Sequence, residues 1–284
     1  MVLLFDYFSL KWCELDWTSW IRINAGRYER RTIPNSQGVY RIRPQGQDFL
    51  VYIGQTNHLK RRTGMLALNS YKNEMPWNDP HTAAPNLWAW RQEKDWEYEV
   101  SVASTPELTR QNREGLECLL LWKYRLENGE STFCNHGRFN PNYTKSSDKA
   151  RGKKGRKLLL NKPRNPAWGP SYLPLKPSGT YESIDWMELV WTEFMGFNDL
   201  KNVPNLPGIY KIVEVKNNEL FYIGETKNLK NRLKTHKKKF PTEVFSYCKL
   251  SNRVPRYQRL EIENDLIGQY YDTTGKAPAF QFKK

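Results

Sequence analysis

A chain of 284 residues has room for one large domain or two small ones, each burying its own core. Against 30 Asp and Glu stand 45 Lys and Arg, and the net charge of +15 asks for a polyanionic partner, nucleic acid first. With 38% hydrophobic residues, 14% aromatics and 11 Trp this is no disordered basic tail, and the lack of any run of about 18 to 20 apolar residues excludes a membrane-spanning helix. The apolar start has Asp6 inside it and no basic residue before it, so no secretory signal is expected. Cys13, Cys118, Cys134 and Cys248 form no C-x-x-C pair, which points to reduced thiols in a cytoplasmic protein; Cys134 and His136 have no second close pair with which to complete a metal site.

In chain order, Val39 to Arg43 and Phe49 to Ile53 read as a hairpin around Pro44-Gln45-Gly46-Gln47, with Gly54 ending its second strand. Helical spacing follows from Asn57 to about Asn69, then a third strand from Glu97 to Ala103. Ser104 or Thr105 is placed to cap a long helix that runs to about Leu126, with Gly129 beyond its end. The same order returns as Ile209 to Val215, Leu220 to Ile223, Lys227 to Lys239, Val244 to Leu250 and Arg256 to about Tyr271. It returns because the sequence repeats. Gly38-Val39-Tyr40-Arg41-Ile42 recurs 170 residues later as Gly208-Ile209-Tyr210-Lys211-Ile212, and the stretch from Val51 to Arg62 recurs at the same offset from Phe221 to Arg232. Asp16-Trp17 has an echo in Asp185-Trp186, while Arg113 to Glu117 matches Arg259 to Glu263 at an offset of 146, so the first copy carries an insertion, about 70–96. The expected architecture is α+β: two small domains, 1–143 and 181–284, each a mainly antiparallel three-stranded sheet flanked by helices, joined by a basic, Pro-rich linker over 144–180.

The paired tripeptides Gly38-Val39-Tyr40 with Tyr52-Ile53-Gly54, and Gly208-Ile209-Tyr210 with Tyr222-Ile223-Gly224, resemble the two motifs of the GIY-YIG nuclease superfamily. Behind them an Arg follows ten residues after the second Tyr, at Arg62 and Arg232, and a Glu lies on a later helix, at Glu117 and Glu263. The resemblance implies hydrolysis of DNA phosphodiesters with one divalent metal per active domain, Mg²⁺ with Mn²⁺ as substitute, held near Glu117 and Glu263. It further implies a general base at Tyr52 and Tyr222 with Tyr40 and Tyr210 beside it, a His at His236 where the first copy has Leu66, and an Asn on a short strand at Asn135. Gln281 stands at the corresponding distance in the second copy, and its longer side chain is expected to displace whatever the amide orients, making the first copy the faster one.

The residue types suit that chemistry on their own account. Phosphodiester cleavage needs an activated water, an acceptor for its proton and positive charge where the phosphorane forms. A lone carboxylate anchors Mg²⁺ while leaving places for water and phosphate, a guanidinium binds two phosphate oxygens at once, and a phenol with a reference pKa of about 10 needs a cation nearby to act as a base. Each type also has a plain structural use: Tyr packs on strands, and Arg113 with Glu117, like Arg259 with Glu263, has the i, i+4 spacing of a surface ion pair. His58, His81 or His136 could stand in for the missing His of the first copy.

For DNA contact the sequence offers Arg138, the linker cations Lys145, Lys149, Arg151, Lys153, Lys154, Arg156 and Lys157, and Lys230, Lys234, Lys237 and Lys238 on the helix of the second copy. Tyr71, Trp77, His81, Trp88, Trp90 and Trp96 in the insertion serve either to pack an enlarged domain or to stack on bases. The expected function is a monomeric restriction-type endonuclease that cuts double-stranded DNA with one site per strand. The alternatives are a repair or recombination nickase, or one working nuclease domain beside a domain that only binds DNA.

Overall fold

The computed structural model describes residues 6–79 and 82–283, so His81 of the insertion lies outside the described residues. Its contacts divide the chain into two units, Met1–Arg113 with Ser131–Pro170, and Glu114–Glu130 with Ser171–Lys284. Each holds a four-stranded antiparallel sheet with helices, the α+β class expected.

In the first unit the sheet order is β1 (Ile21–Arg22), β4 (Tyr98–Ser104), β2 (Gly38–Pro44), β3 (Tyr52–Thr56). Central β2 is buried along most of its length. In the β2–β3 hairpin Gly38 lies opposite Thr56 and Tyr40 opposite Gly54. Both motif glycines are demanded by packing. A Cβ on Gly38 would run into the Ala103 carbonyl on β4 and come within 2.9 Å of Leu59, and a Cβ on Gly54 would meet Tyr52 at 2.6 Å and the Tyr40 ring and hydroxyl at 2.7 Å. The Tyr40 ring therefore lies across bare backbone, which only Gly offers. Gly54 sits inside β3, which runs on to Thr56.

Helix α1 (Leu59–Ser70) is capped by His58, whose Nδ1 accepts the Arg61 N–H at 3.3 Å. Helix α3 (Arg110–Asn128) starts later than expected: residues 105–108 close a turn through Leu108 N–H to Thr105 O, and Thr109 Oγ1 takes the capping bond from Asn112 N–H at 3.2 Å. The sheet has one strand more than expected because two residues, Ile21 and Arg22, pair with the outer edge of β4. The insertion builds helix α2 (Ala84–Lys94), opened by Pro85 in its first turn. Trp88 and Trp90 of α2 are buried, and Trp90 packs against Trp96, Phe133 and Trp168, so these aromatics fill a core.

The basic stretch from Lys145 is laid on that insertion. Lys149 N–H donates to Asp79 Oδ1 at 2.8 Å, Asn78 N–H to Ser147 O, Lys157 pairs with Glu93 at 3.3 Å, and Lys154 pairs with Glu74. Tyr143 and Lys157 form an isolated antiparallel bridge.

The second unit repeats the strand order: β5 (Met195–Gly196), β8 (Val244–Lys249), β6 (Gly208–Val213), β7 (Leu220–Thr226). Tyr210 lies opposite Gly224, and Gly208 and Gly224 are hemmed in as Gly38 and Gly54 are. Helices α4 (Leu229–Lys237) and α5 (Arg256–Thr274) complete it, with Asn228 Oδ1 capping α4 through Asn231 N–H at 2.9 Å. The Glu114–Glu130 part of α3 belongs to this unit and lies against α5. There Asn264 donates to Cys118 O at 3.1 Å, and fully buried Arg125 binds Asp265 through Nε at 2.9 Å and Nη2 at 3.1 Å, with Glu261 at 3.5 Å. Even beside that guanidinium, desolvation holds the Asp265 carboxyl up at about 6.

Each sheet also buries a cation in an aromatic cage. Arg41 on β2 lies over Trp17 at 4.2 Å, Trp20 at 4.8 Å and Trp12 at 5.8 Å; Lys211 on β6 lies over Trp191 at 4.2 Å, Phe194 at 5.2 Å and Trp186 at 5.4 Å. The cages reveal a further repeat, Trp12-Cys13-Glu14-Leu15-Asp16-Trp17-Thr18 against Trp186-Met187-Glu188-Leu189-Val190-Trp191-Thr192. The equivalence is geometric: Trp17 Nε1 donates to Trp12 O as Trp191 Nε1 does to Trp186 O, and Cys13 and Met187 share a left-handed backbone with φ of 52° and 53°. It corrects the Asp16-Trp17 echo, since Trp17 corresponds to Trp191 and Trp12 to Trp186.

Candidate active site

The second unit brings its candidate residues together within one body. Tyr210 on β6 and Tyr222 on β7 face each other with ring centroids 6.0 Å apart and planes 21° apart. From α4, one turn apart, Arg232 donates Nε–H to the Tyr210 hydroxyl at 3.0 Å, and His236 Nε2 stands 2.9 Å from the same hydroxyl. Which of the two donates follows the imidazole tautomer, and a neutral ring can take either part at Nε2. Desolvation first, then Arg232 and Lys239, hold His236 down at about 4 and hence neutral. Burial pushes both phenols up; Arg232 pulls both down without overcoming it, so both are protonated at neutral pH.

Glu263 projects from α5 beside them. Desolvation and then the charge of Glu225 raise its carboxyl to about 8, against the pull of Arg232, of the Glu225 N–H and of Arg256. A half-buried carboxyl crowded by a second carboxylate, both hard oxygen donors, is an environment whose cost a bound divalent cation relieves. The residues thus fit the metal that the family resemblance implies. Among the described residues there is no group of three or more His, Cys, Asp or Glu placed to hold a metal, so a cation here would rest on few protein ligands and keep its waters. Arg259, one turn before Glu263, gives its guanidinium to Glu225 at 2.8 Å and to the Val254 carbonyl at 2.8 Å, and so makes the ion pair across to β7 and not along the helix.

At the C-terminal end Gln281 Oε1 accepts the Ile223 N–H at 3.0 Å. In the first unit Asn135 Oδ1 accepts the Ile53 N–H at the same 3.0 Å, its Nδ2 donates to Ile53 O at 2.8 Å, and Thr132 donates to it at 2.7 Å. The following residues, His136 and Phe282, share a left-handed φ of 54° and 62°. The longer amide therefore does the same work on the same strand position, which corrects the expectation that it would displace its partner. Asn135 stands in a turn and not on a strand.

Also in the first unit, Tyr40 and Tyr52 are 5.9 Å apart between centroids, and Arg62 lies on α1. Leu66, where α4 has His236, is buried in the apolar core. Glu117 lies on the part of α3 that belongs to the second unit. His58 is taken up by its cap. Cys134 is a buried thiol whose pKa burial raises, a core residue with none of the character of a metal ligand. Of the candidate DNA contacts, Lys145, Lys149, Arg151, Lys153, Lys154, Arg156, Lys157, Lys234, Lys237 and Lys238 are exposed, and Lys230 is half-buried with its Nζ on the Lys201 carbonyl. Arg138 departs from them: it is 4% exposed, donates to Gly169 O at 2.9 Å and lies over Trp168, so it belongs to the core. Sequence reasoning missed Glu225, whose signal was its place beside Gly224 and opposite an Arg on the later helix.

Residues 206–270 match the family model described as the GIY-YIG catalytic domain. This part of the chain is therefore a GIY-YIG nuclease domain. Such a domain implies a phosphodiester-hydrolysing endonuclease with DNA as its substrate. No curated protein matches the chain. Among the described residues no helix is long and apolar enough to cross a membrane.

Proposed function

We propose that the chain is a divalent-metal-dependent DNA endonuclease with two GIY-YIG-type sites, a restriction-type cutter that breaks both strands as a cytoplasmic monomer. Domains 1–143 and 181–284 supply the sites and the basic segment 144–180 joins them. In the second, Glu263 would hold the Mg²⁺, and Arg232, exposed at the mouth, offers its terminal nitrogens to a phosphate oxygen. Tyr222, once its phenol has released its own proton to solvent, accepts the proton of the attacking water, and Arg232 and the hydrogen bond to Tyr210 stabilise that phenolate against the burial that opposes it. When bound, the metal would supply Lewis acidity and lower the pKa of its water. Tyr40, Tyr52, Arg62, Asn135 and Glu117 play the matching parts for the other strand. The exposed cations of 145–157 and of α4 hold the backbone of the duplex and set a salt-dependent affinity.

The observation that carries this reading is the Arg232–Tyr210–His236 hydrogen-bonded row next to the raised carboxyl of Glu263. Strand-resolved cleavage of end-labelled duplex and plasmid tests it. Glu263→Gln and Glu117→Gln should each turn linearisation into nicking of one strand, by about a thousandfold loss on the other, as expected when charge stabilisation is removed, and the double variant should do neither. Linearisation by the double variant at the parent rate would refute the reading.

A further inference from the structure

Glu225 follows Gly224 on β7, with its side chain 13% exposed. Its Oε2 accepts Arg259 Nε–H at 2.8 Å, and Arg256 approaches Oε1 at 3.6 Å. Arg259 is itself buried at 8% exposure, so the bond ties the end of β7 to α5 one turn before Glu263. The first unit makes the corresponding tie without charge. Arg113 donates Nε–H to Gln55 Oε1 at 2.9 Å and Nη1–H to Gln37 Oε1 at 2.7 Å. An amide oxygen thus suffices for the strand-to-helix bond, and what Glu225 adds is a negative charge. That charge sits on the residue whose own backbone N–H donates to the Glu263 carboxyl, so two carboxylates from β7 and α5 lie close enough for one divalent cation to feel both.

We propose that Glu225 is a positioning residue of the second site: held by Arg259, it places a second negative charge beside Glu263 and tightens the hold on a divalent cation there. The proposal rests on the reading of Glu263 as the metal-holding carboxylate. In the first unit Gln55 contributes no such charge, so position 55/225 sets how strongly a site depends on metal concentration.

Binding of Mn²⁺ alone, without DNA, to the full chain tests this by calorimetry and by the electron paramagnetic resonance of the free ion. Glu117→Gln serves as the parent, so that the second site is read by itself. Glu225→Gln should keep the melting temperature of the parent and weaken Mn²⁺ binding roughly tenfold, the effect of one unit charge a few ångströms from a divalent ion in a partly solvated site. Glu225→Ala should weaken binding as much and also lower the melting temperature, because buried Arg259 loses its acceptor. Glu225→Asp, which keeps the charge, should bind closer to the parent than Glu225→Gln does even if it melts earlier. Parent-like binding by Glu225→Gln, or binding that follows melting temperature and not charge across the series, overturns the proposal. Parent-like binding by Glu263→Gln would instead overturn the reading of Glu263 on which it rests.

Discussion

The two units close corresponding sheets with different amides and reach the same bond. Asn135 and Gln281 each accept a strand N–H at 3.0 Å, from Ile53 and Ile223. Asn135 adds a bond back to the Ile53 carbonyl and one from Thr132, whereas the Gln281 side chain makes, among the described residues, the single bond. Their caged cations differ in the same manner: Arg41 reaches the Tyr7 and Ser9 carbonyls through two nitrogens, and Lys211 reaches the Ser183 carbonyl at 3.1 Å through its one. What is held constant is the position of a polar atom, and what varies is how many bonds secure it. By that measure the second unit is built with fewer ties around a site whose Tyr210 is better served, through His236, than a leucine could serve it.

Arg232→Ala offers the largest break in this comparison. It removes phosphate charge and the cation beside both phenols, so turnover on the strand cut by the second site should fall about a hundredfold to a thousandfold, with DNA affinity changing far less; Arg62→Ala should do the same to the other strand. Equal losses in affinity and turnover, measured by single-turnover kinetics against titration of binding, would make these arginines plain backbone contacts.

His236→Leu makes the second unit resemble the first at this position. Loss of a hydrogen bond worth about 1 to 1.5 kcal/mol should slow the second site roughly tenfold. Because Gln281 keeps the strand bond, the parent second site should be at least as fast as the first, the reverse of the order expected from the amide alone. Strand-resolved rates decide both points.

Lys211→Arg sharpens the comparison of the cages. Desolvation holds the Lys211 ammonium down at about 7 from an ordinary 10.5. Between those values the unfolded chain binds a proton that the folded chain does not, so stability should rise with pH across that window, the penalty being present in full below about 7. In the Arg variant this part of the slope should vanish, since a guanidinium stays charged throughout; melting curves from pH 6 to 10 read it. The smallest effect is expected from Gln281→Asn, less than about 1 kcal/mol for one hydrogen bond, seen as a small fall in melting temperature with little change in cleavage.

The placing of the glycines and tyrosines on one hairpin and of Arg62 and Arg232 on the helix after it was legible because that geometry is local: residues opposite in the ladder are few in sequence and alternate faces. The aromatic cages were not, since the segment between the Trp12-to-Thr18 repeat and the sheet differs by four residues from its counterpart after Thr192 and shifts the repeat to an offset of 174. Strands β1 and β5, two residues each, carry no pattern to detect. The order of the basic stretch comes from Glu74, Asp79 and Glu93, about 70 residues away, which composition does not report. Arg138 read as a phosphate ligand because its aromatic neighbour Trp168 is likewise distant in sequence.

Arg125 and its partner Asp265 are separated by 140 residues. At a synthesis rate of about 5 to 20 residues per second, the half-helix that carries Arg125 is synthesised roughly 7 to 28 seconds before Asp265 exists. Through that interval Trp122, fully buried in the finished protein, has no α5 to lie against. Slowing elongation downstream of residue 130 should therefore lower the yield of soluble protein more than slowing it upstream.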